Sequence, residues 1–442
     1  MKGIISLLCM AVLCLAGVPS FAMEMEERLN ILEKAIKEQS RIIEEQQKTI
    51  DALKEEINGR KAETAVAKDE TAKPVEEASP DSGSSGFFGG SILTNPYISL
   101  VVDTLYYTSN LKKGELEERG IEQRKGFNLR AAELHLFAPV DPYFNLYAAI
   151  PITEDGVELE EAYAVTTSLP FGFQIKGGKF KSSFSRLDAQ HRHAWDFADI
   201  ALPYKAFLGD EGLGGEKGVQ ITYIPPLPIY TLLGAEILQG ENESLFGEDA
   251  RSGPHAYSLF AKASIDTSDN STLLFGPYFL FGKARQENED ESLDFHGSSN
   301  LWGAEAVWKW KRGLHGVTLQ GEYMHLSQGG RETDTDTGDT VFRNFHQDGA
   351  YVQALYRYDR WRVGARYDTL DIFSDSLKLG GEKRNLGKRP WRNTASLEFN
   401  PSEFSRIRFQ YTHDRSARDG HDNNEWWLQF IFGIGAHAAH EF

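Results

Sequence analysis

The chain has 442 residues, a formal net charge of −18 and an aromatic content of 12 %. The acidic balance argues against nucleic-acid binding, which normally needs a basic surface. After residue 22, no segment approaches the roughly 18 consecutive apolar residues that a membrane-spanning helix needs. Both cysteines, Cys9 and Cys14, precede that point, so we expect no thiol or disulfide chemistry in the rest of the chain.

Residues 1–22 have the pattern of a secretory signal peptide. They combine a basic start, an apolar run and the small-x-small cleavage site Ser20-Phe21-Ala22. A lipoprotein interpretation is less favoured, because Cys14 follows a leucine and not a small residue. We therefore expect export, either as a soluble periplasmic protein or as a barrel in the outer membrane.

Residues 23–58 predict a helix with five heptads in register. The a positions are Met25, Leu32, Gln39, Gln46 and Leu53, and the d positions are Leu29, Ile36, Ile43, Ile50 and Ile57. Isoleucine at d disfavours parallel dimers, so the pattern predicts a trimeric coiled-coil stalk. The alternative is a single amphipathic helix lying on another surface. Residues 59–90 are poor in large apolar side chains, which predicts a flexible linker.

Residues 91–442 predict a sixteen-stranded antiparallel, porin-like transmembrane β-barrel, an all-β fold preceded by the α-helical coiled coil. Tight Gly/Pro/Asp corners and long polar loops alternate between short segments of alternating polarity. Seven corners and eight loops would put both ends of the barrel on the corner side. The predicted strands are 96–108, 126–138, 143–152, 157–169, 173–184, 217–225, 229–241, 254–266, 272–286, 300–312, 316–328, 348–359, 361–371, 392–400, 404–415 and 424–436.

The strand at 404–415 shows the alternation well, because Ile407, Phe409 and Tyr411 oppose Arg406, Arg408, Gln410 and Thr412. A lipid-facing and a water-facing side would produce this pattern. A soluble β-sandwich also alternates, but sixteen such strands after a leader favour the membrane. The final Phe442 resembles the sorting signal of outer-membrane barrels. We therefore predict location in the outer membrane of a Gram-negative-type bacterium, with the coiled coil in the periplasm.

The stretch 126–223 resembles the phosphate-selective porin O and P superfamily. The residues that carry the likeness are GFNLRAAELHLFAPVDPYFNLYAAI and VELEEAYAVTTSLPFGFQIKGGKFKSSFSRL. The continuation HRHAWDFADIALPYKAFLGDEGLGGEKGVQITY is similar to porin-like proteins labelled zinc-regulated outer-membrane receptors. The resemblance implies a trimeric, sixteen-stranded outer-membrane channel. An arginine ladder or tyrosine funnel, as in the phosphate-specific members, is not evident.

The longest connection, 185–216, follows the fifth strand, where sixteen-stranded porins fold a loop into the lumen. Side chains around the narrowest point set selectivity. The candidate constriction residues are Arg186, Asp188, His191, Arg192, His193, Asp196 and Lys205. The charges of the whole loop nearly balance with a slight acidic excess, so the loop alone indicates no ion preference.

Several polar residues are predicted to face the lumen from the wall. These are Arg130, Glu133, His135, Lys176, Arg357, Arg362, Arg366, Arg406 and Arg408. A row of arginines would favour anions. Alternatively, these arginines pair with interior carboxylates and hold the shape of the barrel.

His191 and His193 form an H-x-H pair near Asp188 and Asp196, a set of side chains that suits Zn²⁺. The alternative is that both histidines form hydrogen bonds inside the folded loop. His437 and His440 are a weaker candidate pair. No other cofactor is expected. The chain has no G-x-S-x-G, H-E-x-x-H or P-loop motif, so we expect no enzyme.

Three functions remain open from the sequence. The first is a homotrimeric outer-membrane pore for passive diffusion of small hydrophilic solutes, anions among them. The second is binding or uptake of Zn²⁺ or another divalent metal by a porin-like receptor. The third is a tether through the coiled coil to the cell wall. Expected contacts are outer-membrane lipid and lipopolysaccharide, where the acidic stretch 333–339 either collects divalent cations or is a solvated loop tip.

Overall fold

A computed structural model describes residues 96–247, 250–288 and 292–435 of the chain. The predicted signal peptide (1–22), coiled coil (23–58) and linker (59–90) lie outside the described residues, as do His437, His440 and Phe442. These assignments stay predictions.

The described chain is almost entirely β-structure. The strands are β1 Tyr97–Ser109, β2 Gly126–Pro139, β3 Phe144–Ile152, β4 Glu161–Thr166, β5 Phe173–Lys181, β6 Gly215–Tyr223, β7 Tyr230–Leu238, β8 Ala256–Ser268, β9 Ser271–Asn288, β10 Leu293–Arg312, β11 His315–Asp334, β12 Thr340–Tyr358, β13 Trp361–Leu379, β14 Glu382–Arg384, β15 Trp391–Ser402, β16 Ser405–Arg415 and β17 Asn423–Gly435. Two short helices are α1 Lys113–Glu118 and α2 Leu202–Leu208. Among the described residues, no helix has the length and apolarity that a membrane crossing by a helix would take.

The sheet closes on itself. All pairings are antiparallel, and β1 pairs with both β2 and β17. The short strand β14 pairs only with the end of β13, which itself continues to β15. Sixteen strands therefore form a closed antiparallel barrel. The predicted fold class is confirmed.

The two rims differ as predicted. Short turns such as 359–360 join strands at one rim, where both ends of the barrel lie, and longer connections join them at the other. Strands β10 to β13 extend 6–8 residues further toward the long-loop rim than predicted. Strand β10 begins at 293 and not 300, β11 ends at 334 and not 328, β12 begins at 340 and not 348, and β13 ends at 379 and not 371. The extensions of β12 and β13 pair after a register shift between Gln347 and Gly349. All four extensions alternate poorly, because hairpins above a bilayer meet water on both faces.

The fourth strand is shorter than the predicted 157–169. Before it, the pairing with β3 continues through backbone hydrogen bonds from Glu158 and Glu160 and through an isolated bridge from Ile152 to Val157.

Polar side chains face the interior and apolar side chains face outward. In β16, Phe409 is 45 % exposed, whereas Arg408 and Gln410 are fully buried. Neighbouring strands repeat the pattern, with Val352 and Leu397 exposed on the outside. An apolar outer surface around a polar interior is the arrangement of a barrel in a bilayer.

Candidate constriction inside the barrel

The connection between β5 and β6, residues 182–214, folds into the barrel; we call it the inner loop. Its apolar residues form the main hydrophobic cluster of the described chain together with the strand wall. Phe184, Tyr204 and Phe207 are fully buried there, against wall residues such as Tyr278 and Met324. Packing of these apolar side chains against the wall therefore holds the inner loop in place.

Tyrosine hydroxyls anchor this apolar side of the inner loop. Tyr204 donates a hydrogen bond of 2.9 Å to Glu322 of β11. Tyr278 and Tyr351 donate to the same carboxylate at 2.6 and 3.0 Å. The Arg186 amide donates to Glu305 of β10 at 2.8 Å. A buried carboxylate that accepts hydrogen bonds from three hydroxyl groups has its hydrogen-bonding capacity well satisfied. The contacts of Glu322 and Glu305 therefore fix the loop against β9 to β12.

Two aspartates anchor the opposite side. Asp196 lies 2.6 Å from Arg362 and 3.6 Å from Arg186. Asp199 lies 2.9 Å from Arg366 and 3.1 Å from Arg392. Burial alone would raise the pKa of each aspartate, but the neighbouring arginines outweigh it and hold both pKa values below the ordinary range. Both aspartates are therefore ionised partners in buried ion pairs.

Three more arginines of the predicted row contact the backbone of the inner loop. Arg130 donates to the carbonyl of Ala198 at 2.7 Å. Arg406 donates to the carbonyl of His193 at 3.0 Å, and Arg408 to that of Trp195 at 2.7 Å. Arg362, Arg406 and Arg408 also share Glu398 of β15. In the structure these arginines are paired, and their charge is largely compensated.

His191 and His193 meet Glu133 and His135 of β2; we call these four residues the histidine cluster. Residues i and i+2 of a strand share a face, which points Glu133 and His135 into the barrel together. Glu133 lies 2.7 Å from Nδ1 of His191, 2.8 Å from Nδ1 of His193 and 3.1 Å from Nε2 of His135. As the alternative expected, both loop histidines form hydrogen bonds, but their partners Glu160 and Glu133 lie outside the inner loop.

Carboxylates beyond the histidine cluster orient His191. Its Nδ1 lies 3.1 Å from Glu160, and its Nε2 lies 2.9 Å from Glu161. Burial would lower the pKa of His191, but Glu160 and Glu133 outweigh it and raise that pKa well above the ordinary value. Burial lowers the pKa of His193 despite Glu133.

Other predicted loop residues are held by contacts within the inner loop. Asp188 is buried and accepts a hydrogen bond of 2.7 Å from the Leu213 amide. Burial raises the pKa of Asp188 to about 7, although Lys181 opposes the shift. Arg192 pairs with Glu211 at 3.0 Å, and Lys205 pairs with Asp210 at 2.9 Å.

Two predicted wall residues lie away from the inner loop. Lys176 places its ammonium 4.9 Å from the ring centre of Tyr163. Arg357 is exposed at the turn rim and donates to the carbonyl of Asp359 at 2.8 Å. Arg357 keeps the predicted inward parity of β12, but it lies at the turn rim and not beside the inner loop.

Sequence reasoning missed several residues that form the contacts between the inner loop and the wall. Arg392 and Glu398 follow the same period-two pattern as Arg406 and Arg408, so the alternation of β15 could have identified them. Glu160 and Glu161 lie next to each other at the start of β4, and the connection just before β4 carries no pattern. The missed residues are Asp199, Glu160, Glu161, Glu305, Glu322, Arg392 and Glu398.

A cavity of about 230 Å³ lies on the long-loop side, between the inner loop and β15 to β17. Its walls carry both signs of charge. Arginines 119, 130, 192 and 392 and Lys205 face Asp199, Asp210, Asp414 and Glu425. The cavity adjoins the inner loop at Ala198, Asp199 and Ile200.

A comparison with curated protein sequences finds a relative of this chain. An uncharacterized protein of Aquifex aeolicus (strain VF5) is 42 % identical over 381 residues, covering 78 % of this chain and 80 % of that protein. The chain belongs to the same family as this Aquifex protein. No family model matches the chain. The resemblances to the phosphate-selective porins and to zinc-regulated receptors stay predictions.

Solved structures similar to this barrel are outer-membrane proteins. They include a loop L8 deletion mutant of OmpT from Vibrio cholerae (12 % identity, TM-score 0.49, 77 % of this chain and 100 % of that one). Others are the channel DcaP of Acinetobacter baumannii (12 %, 0.48, 77 % and 97 %) and an anion-selective porin from Comamonas acidovorans (11 %, 0.45, 77 % and 100 %). Likeness at this level carries no information on what passes through the present barrel.

Proposed function

We propose that this protein is a porin-like outer-membrane channel for small hydrophilic solutes, with the inner loop as its constriction. The observation that carries the proposal is a closed sixteen-stranded barrel with a polar interior that holds the loop after β5. A polar interior inside an apolar wall favours the passage of water-soluble molecules across a bilayer. The buried contacts of the loop predict a narrow path and a small conductance.

The pairing of the arginines argues against strong anion selectivity. Arg362 pairs with Asp196 at 2.6 Å, and Arg366 pairs with Asp199 at 2.9 Å. Glu398 forms ion pairs with three arginines. Selectivity follows the net field at the narrowest point, and here opposite charges offset one another. We therefore expect only a weak preference between anions and cations.

Swelling of proteoliposomes in solutions of uncharged sugars of graded size tests the channel. We expect swelling with the smallest sugars and a sharp decline with size, because the inner loop leaves little open width. Equal, negligible swelling with every sugar and with empty liposomes would contradict the proposal. Reversal potentials in asymmetric KCl then measure selectivity, and a strongly anion-selective potential would overturn the expectation of near-neutrality.

The tether and trimer proposals depend on residues 23–58, outside the described residues. The coiled coil is proposed to lie in the periplasm, and 34 helical residues would reach roughly 50 Å. Unchanged envelope integrity after deletion of residues 25–57 would contradict the tether proposal.

Metal binding has a specific observation in its favour, the histidine cluster.

A further inference from the structure

We propose that Glu133, His135, His191 and His193 form a binding site for a divalent transition-metal ion of the Zn²⁺ class, which joins the inner loop to β2. The inference does not require the proposed channel function. It goes beyond that function, because it gives the inner loop a ligand of defined chemistry.

The first argument is the convergence of three imidazoles on one carboxylate. Three ring nitrogens, one from each histidine, lie 2.7–3.1 Å from the oxygens of Glu133. Ligand atoms of Glu133, His135 and His193 all lie within 4.8 Å of one another, as do those of Glu133, Glu160 and His191. Imidazole nitrogen with a carboxylate oxygen is a ligand set that suits Zn²⁺.

The spacing of the rings also fits one ion. The ring centres of His135, His191 and His193 are 5.1, 5.5 and 5.7 Å apart. A Zn–N bond is about 2.0–2.1 Å, so imidazoles around one tetrahedral ion have ring centres roughly 5 Å apart. Small side-chain movements would therefore let an ion enter between Glu133 and the rings.

The surroundings supply what a metal site needs beyond its ligands. Ligating histidines usually donate their other ring nitrogen to a carboxylate, which fixes the ring. Glu161 lies 2.9 Å from Nε2 of His191, the nitrogen opposite the one that faces Glu133. An adjacent cavity of about 70 Å³ is lined by Asp103, Glu158, Glu160 and Glu211 besides Glu133. With Arg130 and Arg192 as its two cations, this cavity has an acidic balance that would attract a divalent cation.

The consequence is a loop cross-linked to the wall by the ion. His191 and His193 belong to the inner loop, whereas Glu133 and His135 belong to β2. A bound ion would replace hydrogen bonds at this junction with coordination bonds. Metal occupancy would then hold one end of the constriction in place.

Titration of the purified full-length protein in detergent with Co²⁺, followed by visible absorption, tests the site. We expect d–d bands that saturate at one equivalent, disappear on addition of Zn²⁺ and persist in millimolar Ca²⁺. The double variant H135A/H193A and the variant E133Q should lose the bands. The variant E161Q should bind about tenfold or more weakly, because it loses an orienting carboxylate.

The matched control is H325A/H346A, which removes a histidine pair with ring centres 6.0 Å apart elsewhere on the wall. It should bind Co²⁺ like the wild type. Heat-modifiable electrophoretic mobility reports folding of each barrel, and H193Q replaces any alanine variant that fails to fold. Equal binding by wild type and H135A/H193A, displacement of Co²⁺ by Ca²⁺, or no binding by the wild type would overturn the proposal. A failed swelling assay would leave this result unchanged, and a failed Co²⁺ titration would leave the channel unchanged.

Discussion

Arg366 of the wall binds Asp199 of the inner loop through two hydrogen bonds. Its guanidinium donates to the carboxylate and the carbonyl of Asp199, both at 2.9 Å. Replacing Arg366 with alanine would leave a buried carboxylate with fewer partners, which is costly. We expect R366A to loosen the loop and raise the single-channel conductance.

The matched control for this variant is R357A, because Arg357 contacts only the turn rim among the interactions described. It should conduct like the wild type. If R366A conducts no more than R357A while remaining folded, the arginines do not hold the constriction.

The raised pKa of Asp188 predicts that the stability of the folded inner loop depends on pH. Its pKa is about 7 in the folded loop, against an ordinary value of 3.8, because it is buried. A released loop ionises Asp188 from about pH 4 upward, whereas the folded loop ionises it only near pH 7. The folded loop therefore loses stability between these pH values, by up to roughly 1.4 kcal/mol per pH unit, and the loss levels off above pH 7.

Cleavage of the loop by proteinase K between pH 5 and 8 measures this effect. D188N keeps the oxygen that accepts the Leu213 amide but cannot ionise. It should flatten the rise in cleavage that the wild type shows toward pH 7. Parallel curves for the two proteins would refute the role of Asp188.

At the scale of elements, the inner loop depends on the hydroxyl of Tyr204. This hydroxyl contacts Ser185 within the loop and donates to Glu322 on the wall. Y204F removes a buried hydrogen bond at a cost of about 1–3 kcal/mol without changing the packing. We expect faster proteolysis of the inner loop and an unchanged barrel. Y323F is the control, since Tyr323 bonds Asp348 away from the loop, and equal protection of both variants would contradict the account.

The strands could be predicted from the sequence because lipid on one side and water on the other force a period of two. The alternation of Phe409 and Arg408 is visible without coordinates. The period does not give height along a strand, so the position of Arg357 at the turn rim could not be predicted from it.

The wall partners of the inner loop were harder to predict. Arg392 contacts Asp199 on one side of the loop and Glu322 contacts Tyr204 on the other. No local pattern links a loop residue to a strand residue more than a hundred positions away.

At the scale of the whole molecule, the predicted coiled coil should determine the oligomer. Five heptads with isoleucine at d favour three strands over two. Deleting residues 25–57 should convert a trimer into a monomer that retains a folded barrel. Native mass spectrometry in detergent measures the change, and a trimer that survives the deletion would assign assembly to the barrel.

The central claim is that the inner loop constricts a channel through the barrel. Lys181 and Gly215 are cross-strand partners, so a short Gly/Ser linker can replace residues 182–214 without straining β5 and β6. Single-channel recording in planar bilayers should show small conductance steps for the wild type and steps several-fold larger for this variant. Equal steps, or silence from both folded proteins, would contradict the account.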